Sequence, residues 1–404
     1  MFVLIIGDIM RINLKMGYFW FFLLSMALTV LCFCSSVFAI EVNSAGGSLE
    51  PGGLLTITGI DFGSKKTASP IKVESFEWGD IGDAIDSGKD PIFPKWQKAG
   101  VGGSLINNTQ AHSGLRSAFM ELKPNNNVCA FYDSYISFVD SDQLYVSYWF
   151  YWDTVNAKPL SNGGAFFKLN RINGSNVPYS GNPSLGISLI PHYAIPETGY
   201  MDIWGYTDDH TGKNHHNLMR VPSKLTAVYG KWHRVEMWLK LSTPAGAGNG
   251  GIEYAIDSIP VEFIGKSGDG FPWEGITLSK GSTAKINVFT LLFGGCRFTN
   301  ESYPLLWQDD IYIDNTRSRI EIGDASNWLD FTHREIQIPT VWSGSEIKIK
   351  VNQGSFDTLV DKYLFVVDTD GNISKGFSLS NVAVKKYDLV IKDFQGDDGL
   401  IVDR

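Results

Sequence analysis

The residues best suited to chemistry lie on two alternating runs. In Trp232-His233-Arg234-Val235-Glu236-Met237-Trp238-Leu239-Lys240-Leu241, successive side chains of an extended chain point to opposite faces. Trp232, Arg234, Glu236, Trp238 and Lys240 then share one face, and His233, Val235, Met237, Leu239 and Leu241 form a core face. The first set combines flat indoles with both signs of charge. The C–H patches of a sugar stack on indole, while its hydroxyls and carboxylates meet Arg, Lys and Glu. Tyr200, Asp202, Trp204 and Tyr206 repeat the pattern on a second run. Trp pairs and Arg–Glu pairs also stabilise any exposed sheet face across strands, so both readings stand, with aromatics on two strands favouring binding. The expected carbohydrate-binding set is Trp204, Tyr206, Trp232, Arg234, Glu236 and Trp238.

Catalytic machinery is harder to assemble, and no catalytic residue is assigned. A β-eliminating reaction on a uronate needs a group to neutralise the carboxylate and a Tyr or His base; Arg234, His215, His216, Tyr200 and Tyr206 are of the right types. No Ser-His-Asp elbow, phosphate loop or dinucleotide glycine motif is present. Asp208-Asp209-His210 with His215-His216 gathers transition-metal ligand types. Adjacent histidines point apart in extended chain, however, and a polar loop is the simpler reading.

Strands must position these residues. Beyond residue 40 no helix-period pattern of useful length occurs, whereas period-2 segments separated by turn residues recur. They include Leu54 to Ile60, Gln143 to Trp152, Ser184 to Ile190, Tyr200 to Tyr206, Gly251 to Asp257, Ile286 to Leu292, Asp310 to Asp314, Glu346 to Val351 and Tyr363 to Asp368. The class is all-β, with the spacing of a sandwich or jelly roll. The 404 residues carry a formal net charge of -9 and no basic stripe, which argues against nucleic acid as a partner.

The first 39 residues read as a secretory signal peptide: Arg11 and Lys15, an apolar run from Tyr18 to Cys34, and Val37-Phe38-Ala39 at the cleavage point. Met10 and Met16 are alternative starts. The expectation is a secreted or cell-surface protein with no membrane insertion after cleavage. Two cysteines then remain, Cys129 and Cys296; an oxidising compartment permits a disulfide between them, and two buried thiols fit equally well.

Two resemblances organise the chain. Pro51-Gly52-Gly53-Leu54-Leu55-Thr56-Ile57-Thr58-Gly59-Ile60-Asp61-Phe62-Gly63 resembles the opening of an IPT/TIG domain, an immunoglobulin-like fold. Its later half is similar to Arg319-Ile320-Glu321-Ile322-Gly323, then Val341-Trp342-Ser343 to Val351, then Tyr363 to Ser374. The resemblance therefore implies one domain split over residues 40–69 and 317–380, with residues 70–316 inserted and residues 381–404 a tail. The insert resembles the concanavalin A-like jelly rolls of lectins, glycoside hydrolases and polysaccharide lyases through His112 to Ala118, Gly230 to Leu241 with Tyr254 to Asp257, and Trp307 to Asp314. It lacks the E-x-D-x-E of jelly-roll glucanases and the R-x-E-x-R, Q-x-H and Y-x-K-x-G-x-Y set of alginate lyases, apart from the fragment Arg234-Val235-Glu236. It also implies a structural calcium site, in which Phe76-Glu77-Trp78-Gly79 and Asp309-Asp310-Ile311 supply Glu77, Asp309 and Asp310. The function expected is binding of an extracellular polysaccharide. A lyase or hydrolase using the same groove, and a surface adhesin or matrix protein, are the alternatives.

Overall fold

The computed structural model describes residues 39–87, 93–100, 103–123, 129–130, 132–154, 166–173, 184–191, 201–208, 216–217, 230–241, 243, 251–260, 285–296 and 303–382. The expected leader lies, except for its last residue, outside them. The described residues contain antiparallel strands and single 3-10 turns but no α-helix, and no helix among them is long and apolar enough to cross a membrane. Residues 40–404 form one compact unit.

Two sandwiches make up this unit. In the smaller, one sheet has the order Glu41–Gly47, Leu54–Ile60, Glu346–Lys350, Ile338–Trp342. The register Leu54↔Lys350 to Thr58↔Glu346 joins segments almost three hundred positions apart. The second sheet is Arg334–Ile336, Arg319–Gly323, Tyr363–Val367, Phe377–Ser378. Alternation in both supplies the core: Leu55, Ile57, Phe62, Ile347 and Ile349 meet Ile320, Ile322, Leu364 and Val366, all without solvent exposure. Each such side chain contributes about 1.5–3 kcal/mol on burial. The Trp342 indole N–H closes the end by donating to the Phe62 carbonyl at 3.1 Å.

The larger sandwich is a jelly roll of two eight-stranded sheets. One runs Ile259–Pro260, Gly251–Ile256, Trp232–Lys240, Gln143–Thr154, Pro304–Asp314, Ser117–Glu121, Leu105–Asn107, with Lys72–Glu74 also on Pro304–Asp314. The other runs His216–Asn217, Met201–Asp208, Ser184–Pro191, Phe166–Asn173, Ile286–Cys296, Tyr132–Ser141, Gln97–Gly100, with Cys129–Ala130 on Ile286–Cys296. Phe76, Tyr148, Phe150, Val235 and Leu306 pack against Ile136, Ile172 and Phe289 between them.

Strand ends differ from the sequence reading by a residue or two, with two larger departures. The strand from Ile286 runs to Cys296 rather than Leu292, and the last strand of the larger sandwich begins at Pro304 rather than Asp310. The latter is buried along almost its whole length, so its first half shows no alternation, and a register shift between Asp309 and Tyr312 interrupts the period. Asp310 sits in this irregularity at φ 47°, a left-handed conformation that short polar side chains tolerate better than most.

Candidate functional site

The outward face of Trp232–Lys240 is not an open groove. Val235, Met237 and Leu239 point into the jelly-roll core, as alternation requires, but Arg234 and Glu236 are only 3% and 7% exposed. The second sheet of the smaller sandwich covers them. Arg234 Nη2 lies 3.1 Å from Glu321 Oε2 and 3.5 Å from Glu236 Oε1. Arg319 Nε contacts Glu321 Oε1 at 2.6 Å, Arg334 Nη1 lies 3.3 Å from Glu321 Oε2, and Arg334 also pairs with Glu236. Three guanidinium groups thus share two carboxylates inside the molecule. Arg234 Nε donates to Ser147 Oγ at 3.0 Å, and Tyr145 donates to Glu236 Oε1 at 2.8 Å. Arg319 lies over the Tyr145 ring and Arg317 over Trp238.

The electrostatics follow from this packing. Burial pushes Glu321 and Glu236 upward, yet Arg234 and Arg334, with Arg319, outweigh it and hold both carboxyls below their ordinary range. Burial disfavours the charged Arg234 in turn, and Glu236 and Glu321 overcome that. Assigning Arg234, Glu236 and Trp238 to a glycan groove is therefore corrected: they hold two sandwiches together. The cavity on this seam measures about 100 Å³, well below the roughly 300–1,000 Å³ of ligand pockets.

Trp232 lies at the other end of the strand, half-buried, with the Tyr151 and His112 rings against it. His112 stacks on Trp149 with ring centroids 3.8 Å apart and planes 13° apart. His333 of the smaller sandwich lies 5.7 Å from His112, centroid to centroid. Nothing in the sequence pattern links His112 to His333 and Glu335, which lie on different sandwiches.

Glu77, Asp309 and Asp310 all reach the turn at residues 112–116, but they serve as acceptors for its donors. Glu77 Oε1 accepts the N–H groups of Leu115 and Arg116, each at 2.8 Å. Asp309 Oδ2 accepts the His112 N–H at 2.9 Å, and Asp309 Oδ1 the Asp310 N–H at 2.8 Å. Asp310 receives the Ser113 hydroxyl and the His112 ring, both at 2.7 Å. Burial, reinforced by Asp310, pushes the Asp309 carboxyl well above its ordinary range. The three carboxylates expected to hold calcium thus meet at one turn, which they anchor through these bonds. Among the described residues, the group of three or more His, Cys, Asp or Glu ligand atoms lying within 4.8 Å of one another is His112, His333 and Glu335.

The second jelly-roll sheet offers another polar surface. Ile136, Phe289 and Ile172 point into the core, so their neighbours Tyr135, Thr290 and Arg171 point away from it. The register places these three in one row, Arg171↔Thr290 and Thr290↔Tyr135, with Gln97↔Tyr135 beyond. In the other direction it continues Arg171↔Gly186, Gly186↔Tyr206 and Tyr206↔Asn217. The Tyr135 hydroxyl donates to Gln97 Oε1 at 3.1 Å. Thr290 is fully buried, and its hydroxyl has no hydrogen-bond partner.

Trp204 pairs with Ser188, two positions along from Tyr206. His216 pairs with Thr207, while Tyr200, Asp209, His210 and His215 lie outside the described residues. Tyr135 and Arg171 escaped the sequence reading; the alternation of Tyr135 and Ser137 with Ile136 and Phe138 was the signal that could have found the first.

No family model matches the chain, and no curated protein does. Among solved structures, the chain is similar to an alginate lyase, Aly36B, in complex with an alginate trisaccharide (13% identity, TM-score 0.42, covering 62% of this chain and 100% of that one). It is also similar to an endo-β-1,4-glucuronan lyase from the fungus Trichoderma reesei (11%, TM-score 0.34, 61% and 96%). A third is the potassium-bound carbohydrate recognition domain of Emp46p (8%, TM-score 0.31, 55% and 88%).

Proposed function

We propose that this chain is an exported protein that binds an acidic polysaccharide on the outward face of the second jelly-roll sheet, with the smaller sandwich as an IPT/TIG-like support. The observation that carries the reading is the cross-strand row of Gln97, Tyr135, Thr290 and Arg171, extended in register to Tyr206. A guanidinium recognises a carboxylate through two parallel hydrogen bonds, and phenols and hydroxyls suit sugar hydroxyls. Trp204 and Tyr206 remain part of the proposed surface, and export rests on the apolar run from Tyr18 to Cys34 with its small-residue end.

A second reading, a uronate lyase, is favoured by a phenol and a guanidinium sharing that row. Neighbouring strands lie about 4.8 Å apart, so Arg171 and Tyr135, one strand to either side of Thr290, are spaced by roughly 10 Å. In that reaction the arginine neutralises the uronate carboxylate, an ionised tyrosine takes the proton from the carbon next to that carboxylate, the glycosidic C–O bond at the following carbon breaks as the C=C double bond forms, and the phenol returns its proton to the leaving oxygen.

The test is retention on alginate and polyglucuronate against a neutral glucan. Loss of a hydrogen bond to a charged group costs about 1.5–3 kcal/mol, roughly ten- to a hundredfold in Kd, so Arg171→Ala should weaken retention on the acidic polymers by that factor. Unsaturated-uronate absorbance would favour the lyase. Wild-type retention by Arg171→Ala, or none by either protein, overturns the proposal.

A further inference from the structure

We infer that His112, His333 and Glu335 form a zinc site that clips the jelly roll to the smaller sandwich. This inference is independent of the glycan reading and uses none of its residues. The two ring nitrogens and one carboxylate oxygen lie within 4.8 Å of one another, although His112 comes from a jelly-roll turn and the other two flank the start of Arg334–Ile336. Two imidazoles and one carboxylate are a donor set for zinc and its first-row neighbours, whereas calcium and magnesium prefer all-oxygen ligation.

The surroundings resemble those of a built site. His112 Nδ1 is bonded to Asp310 Oδ2 at 2.7 Å, which leaves Nε2 as its ligand atom. A carboxylate behind a ligating histidine fixes the ring and raises its basicity. Asp310 is itself held by Ser113 Oγ at 2.7 Å, and stacking on Trp149 sets the plane of the ring. His333 is held edge-to-face by Phe356, with centroids 4.4 Å apart and planes at 84°. Glu335 is 2% exposed, and its Oε1 gathers His333 Nε2 at 2.7 Å and the Ser355 N–H at 3.0 Å.

Tetrahedral zinc with bonds of about 2.0–2.1 Å places its ligand atoms roughly 3.3 Å apart. The separations here, from 2.7 Å to the 4.8 Å bound, bracket that value, so small side-chain rotations complete three-fold ligation. Ser355 Oγ, 2.9 Å from His333 Nε2, or a water takes the fourth position. A zinc ion held this way bonds both sandwiches at once.

The experiment uses the purified protein stripped with chelator and titrated with Zn²⁺ alone by calorimetry, with elemental analysis for stoichiometry. One equivalent is expected to bind and to raise the melting temperature, with Ca²⁺ failing to compete. His112→Ala and His333→Ala should each abolish that step. Asp310→Asn should weaken it about ten- to a hundredfold, the usual effect of losing a carboxylate behind a ligating histidine. Cobalt in place of zinc should give visible absorption that the two alanine variants lose. Circular dichroism of His112→Ala in chelator should match wild type, which separates lost ligation from lost folding. The inference is overturned if wild type binds no stoichiometric Zn²⁺, or if either alanine variant binds it as tightly as wild type.

Discussion

Replacing Glu321 by glutamine keeps the shape of a fully buried side chain and removes one charge from the seam. Its carboxylate touches Arg319 at 2.6 Å, Arg234 at 3.1 Å and Arg334 at 3.3 Å. With Glu321 the cluster of three arginines and two glutamates carries one net positive charge; without it the three arginines share Glu236 alone. Removing one partner of a buried pair leaves charge uncompensated and costs about 3–5 kcal/mol. Opposite charges 4 Å apart are worth about 4 kcal/mol at an effective dielectric near 20, which agrees. Glu321→Gln should therefore lose about 3–5 kcal/mol against urea at pH 7, followed by circular dichroism and by tryptophan fluorescence. The sign of the pH dependence follows from the same contacts. Because the folded-state carboxyl is held below its ordinary range, its contribution is present above the unfolded value near 4.3 and disappears as pH falls toward the folded value. The gap between wild type and Glu321→Gln should be constant from pH 7 to 6 and narrow below pH 5. A gap under about 1 kcal/mol at pH 7, or one that does not narrow in acid, would refute the claim that this network holds the seam.

Asp314 behaves in the opposite sense: burial, against the pull of Lys65 at 2.5 Å, pushes its carboxyl up to about 6. The folded state then binds that proton more tightly than the unfolded chain, so the contribution is present below about pH 3.9 and lost as pH rises through 6. Relative to Asp314→Asn, wild type should lose about 3 kcal/mol between pH 3 and 7, about 2 of it between pH 4 and 6; a flat difference in denaturant titrations would contradict this. Cys129 and Cys296 stand directly opposite each other in register, and opposed antiparallel residues have Cα atoms about 4.5–5.5 Å apart, within disulfide range. Thiol titration of the protein unfolded without reductant should find neither Cys129 nor Cys296 free, and two free thiols at these positions would show that the pair is unbridged.

How far the sequence reaches depends on how local each signal is. Alternation in Leu54–Ile60 and Trp232–Lys240 is a property of neighbouring residues, so the β class and the inward set Val235, Met237 and Leu239 are legible from the chain alone. The pairing of Tyr135 and Ser137 opposite Ile136 and Phe138 was equally local, and it could have been read in the same way. What covers the other face of Trp232–Lys240 is decided by residues 319–334, some eighty to a hundred positions away. An Arg and a Glu that alternate with apolar residues look alike whether water or another sandwich faces them, so the groove expected there became a buried seam. The same holds for Asp309 and Asp310: that the turn at residues 112–116 brings N–H and O–H donors to these two adjacent carboxylates is not visible in the sequence. His333 and Glu335 lie two positions apart, but no spacing or period ties His112 to them. Only the packing of one sandwich on the other, driven by apolar burial and tied by buried ion pairs, brings their ligand atoms together.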